Sequence, residues 1–186
     1  GQPQLLAENI QVESYVQFAP DSQGVLYKRN RQSSAFTYDL YWTGFARDRA
    51  EHLIDTDIYG SYTYDFGDGL IYFKTNAASA GETYDLYRYD FDLDMSVLLA
   101  SDVFRNFYME TDGQHYIIMR DFSYQTETVD LYRLDLSTLD ETLLYEGAYA
   151  YQFTVGYHSG DLVLMKITNA ADKLADLIVV DLDTGE

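Results

Sequence analysis

The sequence predicts an all-β chain of four four-stranded antiparallel units in one domain, residues 1–186, with almost no helix. Three observations predict it. First, a tetrapeptide recurs: Tyr38-Asp39-Leu40-Tyr41 returns as Tyr84-Asp85-Leu86-Tyr87, as Val129-Asp130-Leu131-Tyr132 and, more weakly, as Ala175-Asp176-Leu177-Ile178. Its aspartates lie 46, 45 and 46 residues apart. Second, a turn and a short apolar run precede each tetrapeptide. Third, 19 Tyr and 10 Phe beside only 2 Pro favour strands over helices. A period near 45 residues fits a propeller blade of four short strands.

Each element follows in order. The candidate inner strands a are Tyr15–Phe18, Tyr62–Phe66, Phe107–Glu110 and Tyr151–Val155. Turns at Asp21 to Gly24, Gly67 to Gly69, Asp112-Gly113 and Ser159-Gly160 follow them, with glycine supplying the left-handed backbone such turns need. Strands b come next: Val25-Leu26-Tyr27, Leu70-Ile71-Tyr72, Tyr116-Ile117-Ile118 and Leu162-Val163-Leu164. The repeated tetrapeptides are strands c. Leu53-Ile54, Leu98-Leu99 and Leu143-Leu144 are the outer strands d. Blades covered on both faces need not alternate strictly between apolar and polar.

The two ends complement each other. Asp181 to Glu186 reads as a c–d turn lacking its strand d, and Gln4-Leu5-Leu6-Ala7 reads as a strand d lacking its blade. Wrapped from Asp176, Leu5 is 15 residues on, against internal distances of 14, 13 and 13. The spacing predicts that Gln4–Ala7 pairs beside Leu177–Val180, within one chain or between two chains that make one eight-bladed ring. Closure would remove the sheet edges.

Phe18-Ala19-Pro20-Asp21-Ser22-Gln23-Gly24-Val25-Leu26-Tyr27, followed by Tyr38-Asp39-Leu40-Tyr41, resembles the repeat of TolB-type, WD40-like propellers. Similar repeats build the N-terminal propellers of prolyl-oligopeptidase-family enzymes and of tricorn-like proteases. The later repeats keep only the turn, the apolar strand and the Asp-Leu-Tyr core, weakened to Asp176-Leu177-Ile178 in the last, without the Pro-Asp. The resemblance implies the propeller architecture and spans nearly the whole chain, with fewer blades than such rings usually carry.

Composition narrows the function. Asp plus Glu number 31 and Lys plus Arg 12, a net charge of −19. Nucleic acid is excluded as a default partner, because neutralising phosphates takes clustered Lys and Arg. The acidity suits a salty or extracytoplasmic setting, periplasmic or secreted, where salt screens self-repulsion. No signal peptide is visible. No cysteine means no disulfide framework and no thiolate metal site. No apolar run approaches the ~18 residues of a membrane helix.

Candidate site residues follow from the repeat. Arg29, Lys74, Arg120 and Lys166 recur at spacings of 45, 46 and 46, each ending a strand b. The first reading is an ion pair with the aspartate across the hairpin: Arg29 with Asp39, Lys74 with Asp85, Arg120 with Asp130, Lys166 with Asp176. Such pairs contribute ~0.2–1 kcal/mol each. The second is a ring of cations at one mouth of the channel, suited to an anionic group. The b–c loops, Asn30–Phe36, Thr75–Glu82, Phe122–Glu127 and Thr168–Lys173, are the most varied segments and share a face with the d–a loops. Arg29, Arg31, Phe122 and Tyr124 are their best contact candidates.

Asp90-Phe91-Asp92-Leu93-Asp94 has the alternating acids of a calcium loop but lacks its glycine and distal glutamate. Turn capping explains it, and no metal is assigned. His52, His115 and His158 are scattered over different repeats, and Gly156-Tyr157-His158-Ser159-Gly160 is not a nucleophile elbow. No phosphate loop or dinucleotide fingerprint is present, so no cofactor and no catalytic residue are assigned. The expectation is a non-catalytic scaffold that recognises a protein or peptide through loops on one face. The alternatives are the gating propeller of a larger serine peptidase, which the family resemblance implies, and a lectin-like small-ligand propeller.

Overall fold

In the computed structural model the described residues are 7–8, 10, 16–19, 24–32, 36–45, 51–64, 69–75, 83–110, 112–151, 153–155, 161–169 and 174–182. Among them every regular element is a strand. No helix there is long and apolar enough to cross a membrane.

Seven strands form one sheet in chain order: β1 (Gln17–Phe18), β2 (Gly24–Gln32), β3 (Thr37–Gly44), β4 (His52–Tyr64), β5 (Gly69–Thr75), β6 (Thr83–Asp90) and β7 (Met95–Phe104). A four-stranded sheet holds β8 (Phe107–Met109), β9 (His115–Ser123), β10 (Thr128–Asp135) and β11 (Glu141–Tyr149). A three-stranded sheet holds β12 (Phe153–Val155), β13 (Asp161–Asn169) and β14 (Leu174–Asp181). Neighbours in sequence are neighbours in each sheet, as in up-and-down blades.

The chain divides into two compact units, Gly1–Gly81 with Asp85–Ser101, and Glu82–Tyr84 with Asp102–Glu186. The first buries Leu26, Tyr38, Leu40, Ile54, Ile58, Leu70, Tyr72 and Tyr89 in one cluster. The second buries Phe104, Ile117, Met119, Val129, Leu131, Ala148, Leu162, Leu164 and Val180. The repeated Leu40, Leu86 and Leu131 are each fully buried, contributing ~1.5–3 kcal/mol apiece. β6 and β10 bury the same positions, the second, fourth and seventh of each strand, whereas β5 buries five residues in a row, Gly69 to Phe73.

One element departs from expectation. The sequence predicts two strands at Leu53-Ile54 and Tyr62–Phe66, but both lie along the continuous β4, apart from Asp65 and Phe66, which fall outside the described residues. β4 pairs with β3 through His52–Tyr59 and with β5 through Ile58–Tyr64. It is thus the outer strand of one blade and the inner strand of the next. The chain changes partner through bulges rather than a loop: Asp57 has φ 57° and Gly60 has φ 69°. The bulge at Gly60-Ser61 falls between the pairs Tyr59–Phe73 and Tyr62–Tyr72. A left-handed residue shifts the ladder without ending it.

The same device recurs opposite the repeated aspartate. Register slips where Asp39 faces β4 and where Asp130 faces β11, and the slip carries Asp57 and Gly147 at φ 57° and 70°. Asp102, at the equivalent place after Asp85, has φ 55°. The c–d turns are held by aspartate, as expected. Asp90 accepts from the backbone N–H groups of Asp92 and Leu93 at 2.9 and 3.0 Å. Asp135 accepts from Ser137 N–H at 2.7 Å, Ser137 Oγ at 2.6 Å and Thr138 N–H at 3.1 Å. The pairing expected of Gln4–Ala7 lies outside the described residues but for Ala7, as do Gly156–Gly160 and residues 76–82 and 170–173 of the b–c loops.

Candidate functional site

The repeated cations stand where the repeat puts them. Arg29, Arg120 and Lys166 are the direct cross-strand neighbours of Asp39, Asp130 and Asp176. The charges of Arg29, Lys74 and Arg120 pair elsewhere, which corrects those three expected partners. Arg29 Nη1 lies 2.6 Å from Glu51 Oε2 and Lys74 Nζ 2.6 Å from Asp55 Oδ1. Arg120 grips Glu141 with both Nε, at 2.7 Å, and Nη2. For Arg29 and Lys74 the physical reason is the tyrosine surface beneath. Tyr27 stacks on Tyr41 with centroids 6.0 Å apart, and the Arg29 guanidinium lies 5.2 and 5.1 Å from those two rings. Lying over rings draws the cation along the strand toward Glu51. Lys74 repeats this over Tyr87, at 5.4 Å. Burial, then the hydrogen bond to Glu51, push the Tyr27 hydroxyl far above the usual tyrosine range. Asp39 accepts from Asn30 Nδ2 at 2.7 Å, and Asp130 accepts from Gly147 N–H at 2.9 Å. Of the other expected contacts, Arg31 and Lys166 are exposed on β2 and β13.

Phe122 and Tyr124 belong to a larger aromatic platform in the second unit. Phe122 at the end of β9 stacks on Phe104 at the end of β7, centroids 4.1 Å apart and planes 9° apart. Tyr124 meets Phe122 edge-on at 4.9 Å and Tyr151 meets it at 6.2 Å. Tyr149 meets Tyr151 edge-on at 5.6 Å. The foot of the platform is buried, Phe104 being 1% exposed, while Tyr124 and Tyr151 are 69% and 52% exposed. Backbone bonds fix the turn that carries it: Glu127 N–H to Ser123 O at 2.7 Å, and Ala150 N–H to Glu127 O at 3.0 Å. The second bond ties the b–c turn to the d–a connection, so rings from both loops are held in one frame. Sequence reasoning found Phe122 and Tyr124 and missed Phe104, Tyr149 and Tyr151. The signal was available, since Tyr149 and Tyr151 flank the d–a connection on the face already singled out.

A polar cluster occupies the a–b turn of the same unit. Glu110 is 5% exposed and receives Arg133 in a two-point contact, Nε at 2.8 Å and Nη2 at 2.6 Å. His115 Nδ1 lies 2.5 Å from Asp112 Oδ2, and Nε2 lies 3.7 Å from Asp135 Oδ2. Glu110, Asp112 and His115 bring donor atoms within 4.8 Å of one another, the spacing a metal ion needs. Arg133 already supplies the cation, however, and both Glu110 oxygens are engaged by it. Burial raises the Asp112 carboxyl, but the Gln114 N–H and the His115 ring outweigh it and hold the group below its usual range. Arg133 Nη1 also donates to Leu182 O at 2.9 Å, so the cluster ties β10 to the segment after β14.

The sequence matches no protein-family model and no curated protein. Solved structures do resemble the fold. TolB from Acinetobacter baumannii aligns at 12% identity and TM-score 0.56, covering 92% of this chain and 41% of that one. Oligopeptidase B from Leishmania major aligns at 14% identity and TM-score 0.60, covering 92% of this chain and 25% of that one. The β-propeller domain of the Trilobed protease from Pyrococcus furiosus, described as having an open velcro topology, aligns at 11% identity and TM-score 0.55, covering 89% and 54%. The chain therefore spans less than two thirds of each of these structures. With sequential antiparallel strands, a repeat near 45 residues and these neighbours, the chain has the fold of a TolB-like β-propeller, in whole or in part.

Proposed function

We propose that the chain is a non-catalytic propeller scaffold that recognises a protein or peptide through the loop face carrying Phe122, Tyr124 and Tyr151. One observation carries the reading. An exposed aromatic platform is built from two different loops and locked to the sheet by the Ala150–Glu127 backbone bond. Large rigid rings give contact area at little entropy cost, which is why Tyr and Trp anchor recognition surfaces. A peptide library displayed on phage and selected on the intact chain tests it. Selected peptides should lose binding to Tyr124→Ala and Tyr151→Ala variants. Peptides that bind both variants unchanged would place recognition elsewhere.

A second reading is the gating propeller of a larger serine peptidase. The alignment with oligopeptidase B, of which the chain spans 25%, favours it. A native reading frame that continues into an α/β-hydrolase pattern would support it. A stop codon directly after Glu186 would count against it.

A further inference from the structure

We infer that the aromatic platform takes a basic peptide segment, laying an arginine or lysine side chain on the exposed ring of Tyr124 or Tyr151. The inference rests on the recognition reading above and names its ligand chemistry. Three features lead to it.

The first is charge. The chain carries 31 acids against 12 bases. In the sequence that carries the platform, exposed Asp121 precedes Phe122 and exposed Glu127 closes the turn that bears Tyr124. A cationic segment meets a complementary field, and an anionic one is repelled.

The second is how the protein treats its own cations. Lys28 Nζ sits 4.0 Å from the Tyr38 ring centroid, Arg29 lies over Tyr27 and Tyr41, and Lys74 lies over Tyr87. Arg105 lies 5.2 Å from the centroid of Phe104, the buried foot of the platform. Ring faces in this molecule are used as cation seats, and an acid nearby completes the seat for Arg29 and Lys74.

The third is geometry. Tyr124 and Tyr151 both stand edge-on to Phe122, at 74° and 76°. Neither tyrosine therefore lies flat on Phe122. The two rings are 69% and 52% exposed, so a flat guanidinium has room to lie on them.

Fluorescence polarisation on the intact chain tests the inference with three labelled peptides: Gly-Arg-Gly-Arg-Gly, its citrulline counterpart, and Gly-Phe-Gly-Phe-Gly. Citrulline keeps the shape of arginine and removes its charge. The arginine peptide should bind, and the citrulline peptide should bind about fivefold more weakly. Tyr124→Ala or Tyr151→Ala should weaken the arginine peptide by about the same factor, and Tyr124→Phe should keep most of the affinity. None of these substitutions changes net charge, so bulk attraction is held constant, and matching circular dichroism spectra check the fold. No binding of the arginine peptide, or equal binding of the arginine and citrulline peptides, overturns the inference. If the alanine variants weaken only the phenylalanine peptide, the basic ligand is wrong and the recognition reading stands. If they weaken neither peptide, both fall.

Discussion

A carboxylate that accepts a backbone N–H inside a bulge stabilises the left-handed residue there, and Asp130 does this for Gly147 at 2.9 Å. Hydrogen bonds to a charged acceptor contribute ~1.5–3 kcal/mol. Asp130→Ala should therefore lower unfolding free energy by about 2 kcal/mol in urea titration. Asp130→Asn, which keeps an acceptor oxygen, should cost less than half of that. Gly147→Ala meets nothing within 4 Å of the added Cβ, so its cost is backbone strain alone, about 1 kcal/mol. The salt bridge is a separate quantity. A double-mutant cycle between Arg120 and Glu141, whose side chains are 20% and 26% exposed, should show coupling of ~0.5–1 kcal/mol. A cycle between Arg120 and Asp130 should show less, although the two residues are cross-strand neighbours.

The c–d turns show what an element draws from a single side chain. Hydrogen bonds from the Ser137 hydroxyl and backbone, then from Thr138, hold the Asp135 carboxyl below its usual range. A depressed carboxylate stabilises the fold above the unfolded-state value of ~3.9, and the effect disappears as pH falls through the lower folded value. Wild type should thus melt above Asp135→Ala at neutral pH, and the gap should close below about pH 4. A gap that stays constant on acidification would assign the loss to packing. These turns were legible in the sequence, because Asp at the end of strand c recurs with the repeat and its capping chemistry is local. Strands b and c were legible for the same reason, and so was the Arg120–Asp130 register. The Arg29–Glu51 pair was not, since it spans 22 residues and depends on where stacked tyrosines carry the guanidinium. The join of strands d and a in β4 was hidden too. Gly60 reads locally as a turn, and only the β5 partner makes it a bulge. The platform was half legible, its b–c half being marked by loop variation and its d–a half by nothing except shared location.

A net charge of −19 on 186 residues sets the behaviour of the whole molecule. Self-repulsion weakens as the Debye length shrinks from ~30 Å at 0.01 M to ~3 Å at 1 M. The melting temperature should rise over that range of sodium chloride. A fall would mean that the paired charges of Arg29, Lys74 and Arg120 outweigh the unpaired excess. The shared strand β4 has a different outcome, read in time rather than temperature. Repeat arrays open by local steps when neighbouring units meet only through side chains. In the first unit, two blades have one strand in common, so an opening on the β3 side pulls on the same strand, the thirteen residues His52–Tyr64, that pairs with β5. Their amide protons should exchange with deuterium as a single slow set, under one opening free energy. Gly60→Pro, which removes an N–H and the left-handed φ together, should split that set in two, leaving the His52–Tyr59 amides to exchange at a rate of their own.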